Sequence, residues 1–268
     1  MVTGFFDSMC TIGQHRRFSR LGEITDVNTL IEVMDHYKIK KALLSSYPDG
    51  WKDSTLSEII QNDRFNIAKH VVPDKTNDEI ELDYLKSNNI KAVKLFPLLD
   101  KYVLSDWVIG NLFKKLNKIK LLTIIHLSVT QAQGFTAVGD RMVETLSGMD
   151  NSEGFVWDRI HTLAEQYPDI PFLLARLQGD GGGYKKMMGE LLSRHNNIYI
   201  ELSHFHCFKA IEEFVELYGA EKLLFGTGLS IQDPGQAIAQ LNYSQISVND
   251  KELIGYKNLE RILGQEDL

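Results

Sequence analysis

Several apolar runs in this chain end in a side chain capable of acid–base or anion-binding chemistry. His126 closes "LLTIIHLS", and strand alternation sets it on the same side as Ile124 and Leu122. There it acts either as a general acid/base near neutral pH or as a satisfied core histidine. Lys94 in "AVKLFP" alternates with Ala92 and Phe96 and is expected to face inward, as a partner for a carboxylate, a base, an imine-forming nucleophile, or one half of an ion pair with Asp7. Asp7 in "FFDSMCTIG" is a candidate to orient Lys94 or Arg176, or else a turn acid at a strand end. Arg176 follows "LLA", where a buried guanidinium is costly unless paired, so it predicts either an internal carboxylate or a bound substrate anion. The glycine-rich "QGDGGGYKK" behind it offers backbone N–H groups to an anion, or is only a connector.

Two further stretches supply candidate site walls and ligands. "ELSHFHCF" carries an H-x-H pair, His204 and His206, which together with His126 would make a three-imidazole metal site. His204 is otherwise a candidate for substrate contact. "SSYPDGW" offers Tyr47 and Trp51 as substrate walls or as ordinary loop packing. His70 in "IAKHVVP" is free to face the core, the mouth or the outer layer. His15, His36, His161 and His195 stand in loop or helix contexts and are expected to be solvated.

These groups need a scaffold that brings strand ends together. Eight apolar runs bounded by turn residues recur: "VTGFFDS", "IKKALLSS", "FNIAKHVVP", "IKAVKLFP", "IKLLTIIHLS", "IPFLLARLQG", "NIYIELSH" and "KLLFGTG". Helix-period segments lie between them. In "DVNTLIEVMDHY", Val27, Leu30, Ile31, Met34 and Tyr37 share a face behind a possible Asp26 cap. "FVWDRIHTLAEQY" and "FKAIEEFVELY" repeat the pattern, the second with Phe208, Ile211, Val215 and Tyr218. Strand–helix alternation eight times over predicts an α/β fold, a single (β/α)8 TIM-like barrel spanning residues 1–268. The rival is a doubly wound open sheet, but "FDSMCTIG" stands where that fold would carry its glycine fingerprint. The longest connection, from about Ser128 to Glu153, suits either a loop over the site or a surface insertion.

Composition narrows the partners. The 268 residues are 43% hydrophobic, enough for a full core, and the net charge of -7 without a Lys/Arg block argues against a nucleic-acid surface. Small solutes are the expected partners. Cys10 and Cys207 stand far apart without metal or redox spacing, and no apolar run approaches the ~18 residues of a membrane span. A cytoplasmic protein without membrane association is expected.

Read in this order, the motifs resemble those of the amidohydrolase superfamily, in the amidohydrolase-2-like branch of hydrolases, lactonases and decarboxylases. "FFDSMCTIG" looks like the opening D-x-H-x-H motif, "NNIKAVKLFP" like the G-x-K-L-x-P strand, and "LLTIIHLS" like the fifth strand with its ligand histidine. "YPDIPFLLARLQG" is similar to the sixth strand, "YGAEKLLFGTG" to the eighth, usually ending G-T-D, and "IGYKNLERILG" to the closing helix. The resemblance covers nearly the whole chain. It implies a metal held by histidines and an aspartate, yet the corresponding positions read Met9, Thr11, His126, Arg176 and Gly228. Met and Thr are poor substitutes for imidazole around zinc, and Gly228 brings no carboxylate.

The resemblance and these departures together predict an enzyme acting on a small anionic, carboxylated substrate by hydrolysis or decarboxylation without the usual metal. Arg176 would hold the anion, His126 would transfer protons, and Lys94 and Asp7 would complete the pocket. No cofactor is expected; a divalent zinc or manganese ion is the alternative. Two other readings stay open: a non-catalytic small-ligand barrel, and a hydrolase whose metal has moved to His126, His204 and His206. Association into a homo-oligomer through the outer helices is also possible.

Overall fold

A computed structural model describes residues 2–13, 24, 26–46, 53–73, 90–100, 102–127, 154–175 and 182–264. All eight apolar runs form strands: β1 Phe5–Thr11, β2 Ile39–Ser45, β3 Phe65–His70, β4 Ile90–Leu95, β5 Leu122–His126, β6 Phe172–Ala175, β7 Ile198–Glu201 and β8 Leu223–Leu224. They pair in parallel in sequence order, as one eight-stranded sheet. The chain beyond β8 then bonds back to β1. Ser8 N donates to Phe225 O (2.9 Å), Gly228 N to Met9 O (3.0 Å) and Thr11 N to Leu229 O (2.5 Å). Phe5 and Phe225 stack across the same seam with centroids 4.6 Å apart. The sheet thereby curls into a (β/α)8 barrel, whose strand ends face one mouth.

Among the described residues the helices are α1 Val27–His36, α2 Asp53–Ile60, α3 Pro97–Asp100, α4 Asp106–Ile119, α5 Gly154–Gln166, α6 Gly182–Arg194, α7 Ala210–Tyr218, α8 Pro234–Tyr243, α9 Val248–Glu252 and α10 Asn258–Ile262. The Asp26 cap forms as expected, accepting from Thr29 N at 2.8 Å, and Val27, Leu30 and Met34 bury the predicted face. The third helical segment differs from its predicted extent. α7 starts only at Ala210, after Lys209 in the left-handed region, and leaves Phe208 90% exposed outside it.

Because each strand is covered on both faces, the sequence supplies two cores. Phe5, Cys10, Leu44, Ile67, Val93, Ile125 and Leu174 pack outward against the helices. Phe6, Met9, Leu43, Ala92, Leu122, Ile124 and Leu173 fill the interior, joined by Leu259 and Leu263 of the closing helix region. That helix is anchored by Asn258, whose Nδ2 donates to Ala220 O and Leu223 O, each at 2.9 Å. The asparagine of "YKNLERILG" thus ties the closing helix to the start of β8 through two backbone carbonyls.

Candidate active site

The mouth is shaped by an irregularity in β1. Asp7 pairs with Ala42 and Cys10 with Leu44, so three steps on β1 oppose two on β2. A bulge of this kind re-aims side chains. Simple alternation from Phe6 would send Cys10 inward, but it is Met9 that joins Phe6 in the interior while Cys10 packs outward. Burial there pushes the Cys10 thiol well above its ordinary range, so it is an inert core group. Asp7 holds the bulge. Its Oδ1 accepts from Met9 N (2.9 Å) and Thr227 N (3.0 Å), and Thr227 Oγ1 donates to Oδ2. Burial raises the Asp7 carboxyl above the usual carboxylate range, and these hydrogen bonds, with a smaller contribution from Lys94, pull it part of the way back.

Lys94 points inward from β4, as alternation predicts, and is 1% exposed. Its Nζ donates to Ser45 Oγ at 2.9 Å and lies 3.6 Å from Met9 Sδ and 5.3 Å from the Phe96 ring centroid. Ser45 closes β2, two strands away, so the contact crosses the barrel interior. His126 ends β5 on the interior side, fully buried, its ring 4.6 Å from Phe96 at a 40° tilt. Met9, Thr11, Lys94, His126, Gly228 and Ile231 line one cavity of about 10 Å³, roughly the room one water needs.

Gly228 owes its place to the backbone. Its φ of 72° lies in the left-handed region, its N–H bonds Met9 O, and its carbonyl accepts from Ile231 N (2.9 Å) and Gln232 N (3.0 Å). A tight turn therefore occupies the position where the family motif ends in Asp.

The three-histidine metal site is not formed. His206 is exposed and its Nδ1 pairs with Gln236 Nε2 at 2.9 Å, in an outer groove between α7 and α8, whereas His126 is packed inside the barrel on Phe96. His204 is half-buried beside His206, with centroids 5.6 Å apart. Of the H-x-H pair, His206 lines that groove. Solvation of His195 is also corrected. It is buried, its Nε2 is 2.7 Å from His161 Nδ1, and burial followed by His161 holds its pKa below the ordinary imidazole value. Arg176, Tyr47, Trp51 and the 128–153 connection lie outside the described residues.

The amidohydrolase family profile matches residues 49–265 of the chain, most of its length. The chain belongs to the amidohydrolase family. No curated protein matches it in sequence. Among solved structures, it is similar to the 5-carboxyvanillate decarboxylase of Novosphingobium aromaticivorans, crystallised as a variant with bound manganese, at 14% identity and TM-score 0.72, covering 97% of each chain. It is also similar to the dihydroxybenzoic acid decarboxylase of Polaromonas sp. JS666, with bound manganese and the inhibitor 2-nitroresorcinol, at 12% identity and TM-score 0.69, covering 100% of this chain and 98% of that one. A candidate 2-pyrone-4,6-dicarboxylic acid hydrolase of Pseudomonas putida matches at 12% identity and TM-score 0.65, covering 100% of both. At these identities the likeness establishes the shared barrel.

Membership corrects one expectation. Two of these barrels were crystallised with manganese, so the absence of a cofactor is not the expectation to hold for an amidohydrolase-family chain. The donor set of this chain is nevertheless unusual. Among the described residues no three His, Cys, Asp or Glu side chains gather as a group that could hold a metal ion. The positions around His126 present a thioether, a hydroxyl already donating to Leu229 O (3.1 Å), an ammonium and a glycine. These residues do not match a divalent-ion site, and the steps below rest on the chain's own side chains.

Several groups at this mouth escaped the sequence reading. Ser45 carried no motif, and its contact with Lys94 spans 49 positions in sequence. Glu201 ends β7 wholly buried, its carboxylate accepting from Ser203 N (2.5 Å) and Ser203 Oγ (2.9 Å). His70 Nε2 meets Asp100 Oδ2 at 2.8 Å beside Phe96. The only signal available was position, since each of the three side chains ending a strand (Ser45, His70 and Glu201) must approach the mouth.

Proposed function

We propose that this barrel is an enzyme acting on a small carboxylated substrate, which it cleaves by hydrolysis or by loss of the carboxylate. The observation carrying this reading is the Lys94 ammonium, buried at a cavity that His126 also lines. A cation held at the end of a barrel strand attracts an anionic group brought to the same mouth. The cavity holds about one water, so it marks the point at which a polar group of the substrate would meet Lys94 and His126. The names of the similar structures support the substrate class: two decarboxylases of aromatic acids and a candidate hydrolase of a dicarboxylic acid.

In this reading Lys94 holds the substrate anion, with Ser45 fixing the direction of the ammonium. His126 moves the proton. In hydrolysis it takes one from the attacking water; in decarboxylation it gives one to the carbon that CO₂ leaves. Arg176 would add a second cation to the anion, with Tyr47, Trp51 and His204 as substrate contacts. Asp7 acts by holding the β1 bulge that turns Met9 into the site.

The test is product analysis. Dihydroxybenzoic acids, 5-carboxyvanillate and 2-pyrone-4,6-dicarboxylate are incubated with the purified protein, with and without added manganese. Turnover of any of these, lowered about 100-fold or more by His126→Gln, is the expected result. Turnover unaffected by His126→Gln and Lys94→Met would remove the reading.

A further inference from the structure

Three side chains, Asp100, His70 and Phe96, form a line across the mouth that ends on His126 and Lys94. Asp100 Oδ2 meets His70 Nε2 at 2.8 Å; the His70 ring stands edge-on to Phe96 (85°, centroids 4.9 Å); and Phe96 also meets the His126 ring at 4.6 Å and the Lys94 ammonium at 5.3 Å. Phe96 is therefore in contact with both proposed functional groups. It is wholly buried, and its backbone carbonyl accepts from Asp100 N at 2.9 Å, so Asp100 reaches back over its own turn to grip the imidazole that abuts Phe96. β3 and β4 are joined at the same level by Val71 N donating to Lys94 O (3.1 Å).

We propose that Asp100 and His70 are positioning residues: their hydrogen bond fixes the Phe96 ring, and Phe96 in turn fixes the orientation of His126 and Lys94. The physical case is that of a side chain locked by its supporting contacts. An aromatic ring in a T-shaped contact has a defined partner edge, and a carboxylate–imidazole bond fixes which edge is offered. With Asp100 accepting, His70 must present N–H at Nε2, which sets its tautomer and holds its ring plane. A mispositioning of about 1 Å at a reacting group can cost 100-fold in rate, so support of this kind has a consequence for turnover. Both side chains are largely out of solvent, 10% and 15% exposed, so the bond orders groups that pack against Phe96 rather than a solvated surface pair.

The inference rests on the proposed roles of Lys94 and His126, and its test is chosen to read out separately from them. Protein labelled with ¹⁵N-histidine is observed by NMR, with His126 assigned by His126→Gln, in wild type, Asp100→Ala, Asp100→Asn and His70→Phe. Asp100→Asn keeps an acceptor for Nε2–H and should leave the His126 signals as in wild type. Asp100→Ala and His70→Phe should shift, split or broaden them while the remaining histidines outside the mouth stay in place. His126 signals unchanged in both would overturn the proposal, and His70→Phe covers the case in which Asp100→Ala fails to fold. Where one of the carboxylated acids is turned over, Asp100→Ala should lower kcat about tenfold or more and raise KM, since His126 and Lys94 are both displaced, and Asp100→Asn should restore both. Turnover by wild type with kcat unchanged in Asp100→Ala would also overturn it, whereas no turnover by wild type bears only on the proposed function.

Discussion

Lys94 Nζ donates to Ser45 Oγ across the barrel interior, from β4 to β2 with β3 between them. This contact fixes the direction of the ammonium at the mouth, and the buried Asp7 carboxylate feels its charge as well. A buried ammonium so held is a weak contributor to stability and a strong contributor to anion binding.

Lys94→Met is therefore expected to leave the melting temperature unchanged or raised, since an apolar chain of similar volume replaces a buried charge. Affinity for a carboxylated aromatic acid should fall about tenfold or more in the same variant. Thermal melts and calorimetric titration on one preparation check both halves. A large loss of stability with binding retained would assign Lys94 to the scaffold.

Asp7→Ala should destabilise the fold by about 2–4 kcal/mol, because it strands the Met9 and Thr227 N–H groups and the Thr227 hydroxyl in the interior. The pH dependence has a definite sign. Burial raises the folded pKa above the ordinary 3.8, so the fold binds the proton more tightly than the unfolded chain does. That contribution is fully present below the unfolded value and is lost as pH rises through the folded one. The stability advantage of wild type over Asp7→Asn should accordingly be largest at acid pH and shrink on the way to neutrality, as followed by urea unfolding at a series of pH values.

His195 works in the opposite direction. Its folded pKa is depressed by burial and by His161, so the unfolded chain takes up a proton that the fold refuses. Stability should fall as pH drops through the ordinary 6.5 of the imidazole. In His195→Gln this loss between pH 8 and pH 5.5 should be smaller, as read by melting temperature.

Gly226→Ala tests the packing of the mouth. A Cβ there would stand 2.2 Å from Glu201 Oε1, and the wholly buried Glu201 carboxylate is tied to Ser203 by two hydrogen bonds. A loss of about 2 kcal/mol or more in denaturant unfolding is expected. A neutral result would show that Glu201 is held less firmly than its bonds imply.

The barrel was legible because period-2 apolar runs alternated with helical ones eight times, and each run became a strand in the expected order. The inward set of Lys94 and His126 followed from alternation alone. β1 was not legible in this way, since the bulge at Asp7 to Cys10 shifts the register and no local composition announces it. The H-x-H of His204 and His206 misled for a related reason. Its spacing matches a metal motif, but both residues follow the end of β7 at Glu201, and only tertiary contacts show that His206 turns to Gln236. Ser45, Glu201 and the His70–Asp100 pair are defined by partners on other elements or in three-dimensional packing, which a single sequence does not display. The expectation of a cofactor-free site failed on other grounds, because substituted ligand positions say nothing of what related barrels bind.

The central claim is that Lys94 and His126 make this mouth a site for a carboxylate. The most direct measurement is calorimetric titration of 2,6-dihydroxybenzoate and its neutral amide into wild type, Lys94→Met and His126→Gln. The account predicts that the acid binds wild type at least about tenfold tighter than the amide does, and that Lys94→Met abolishes this preference while His126→Gln retains most of it. Equal binding of acid and amide, or a preference for the acid that survives Lys94→Met, would contradict it.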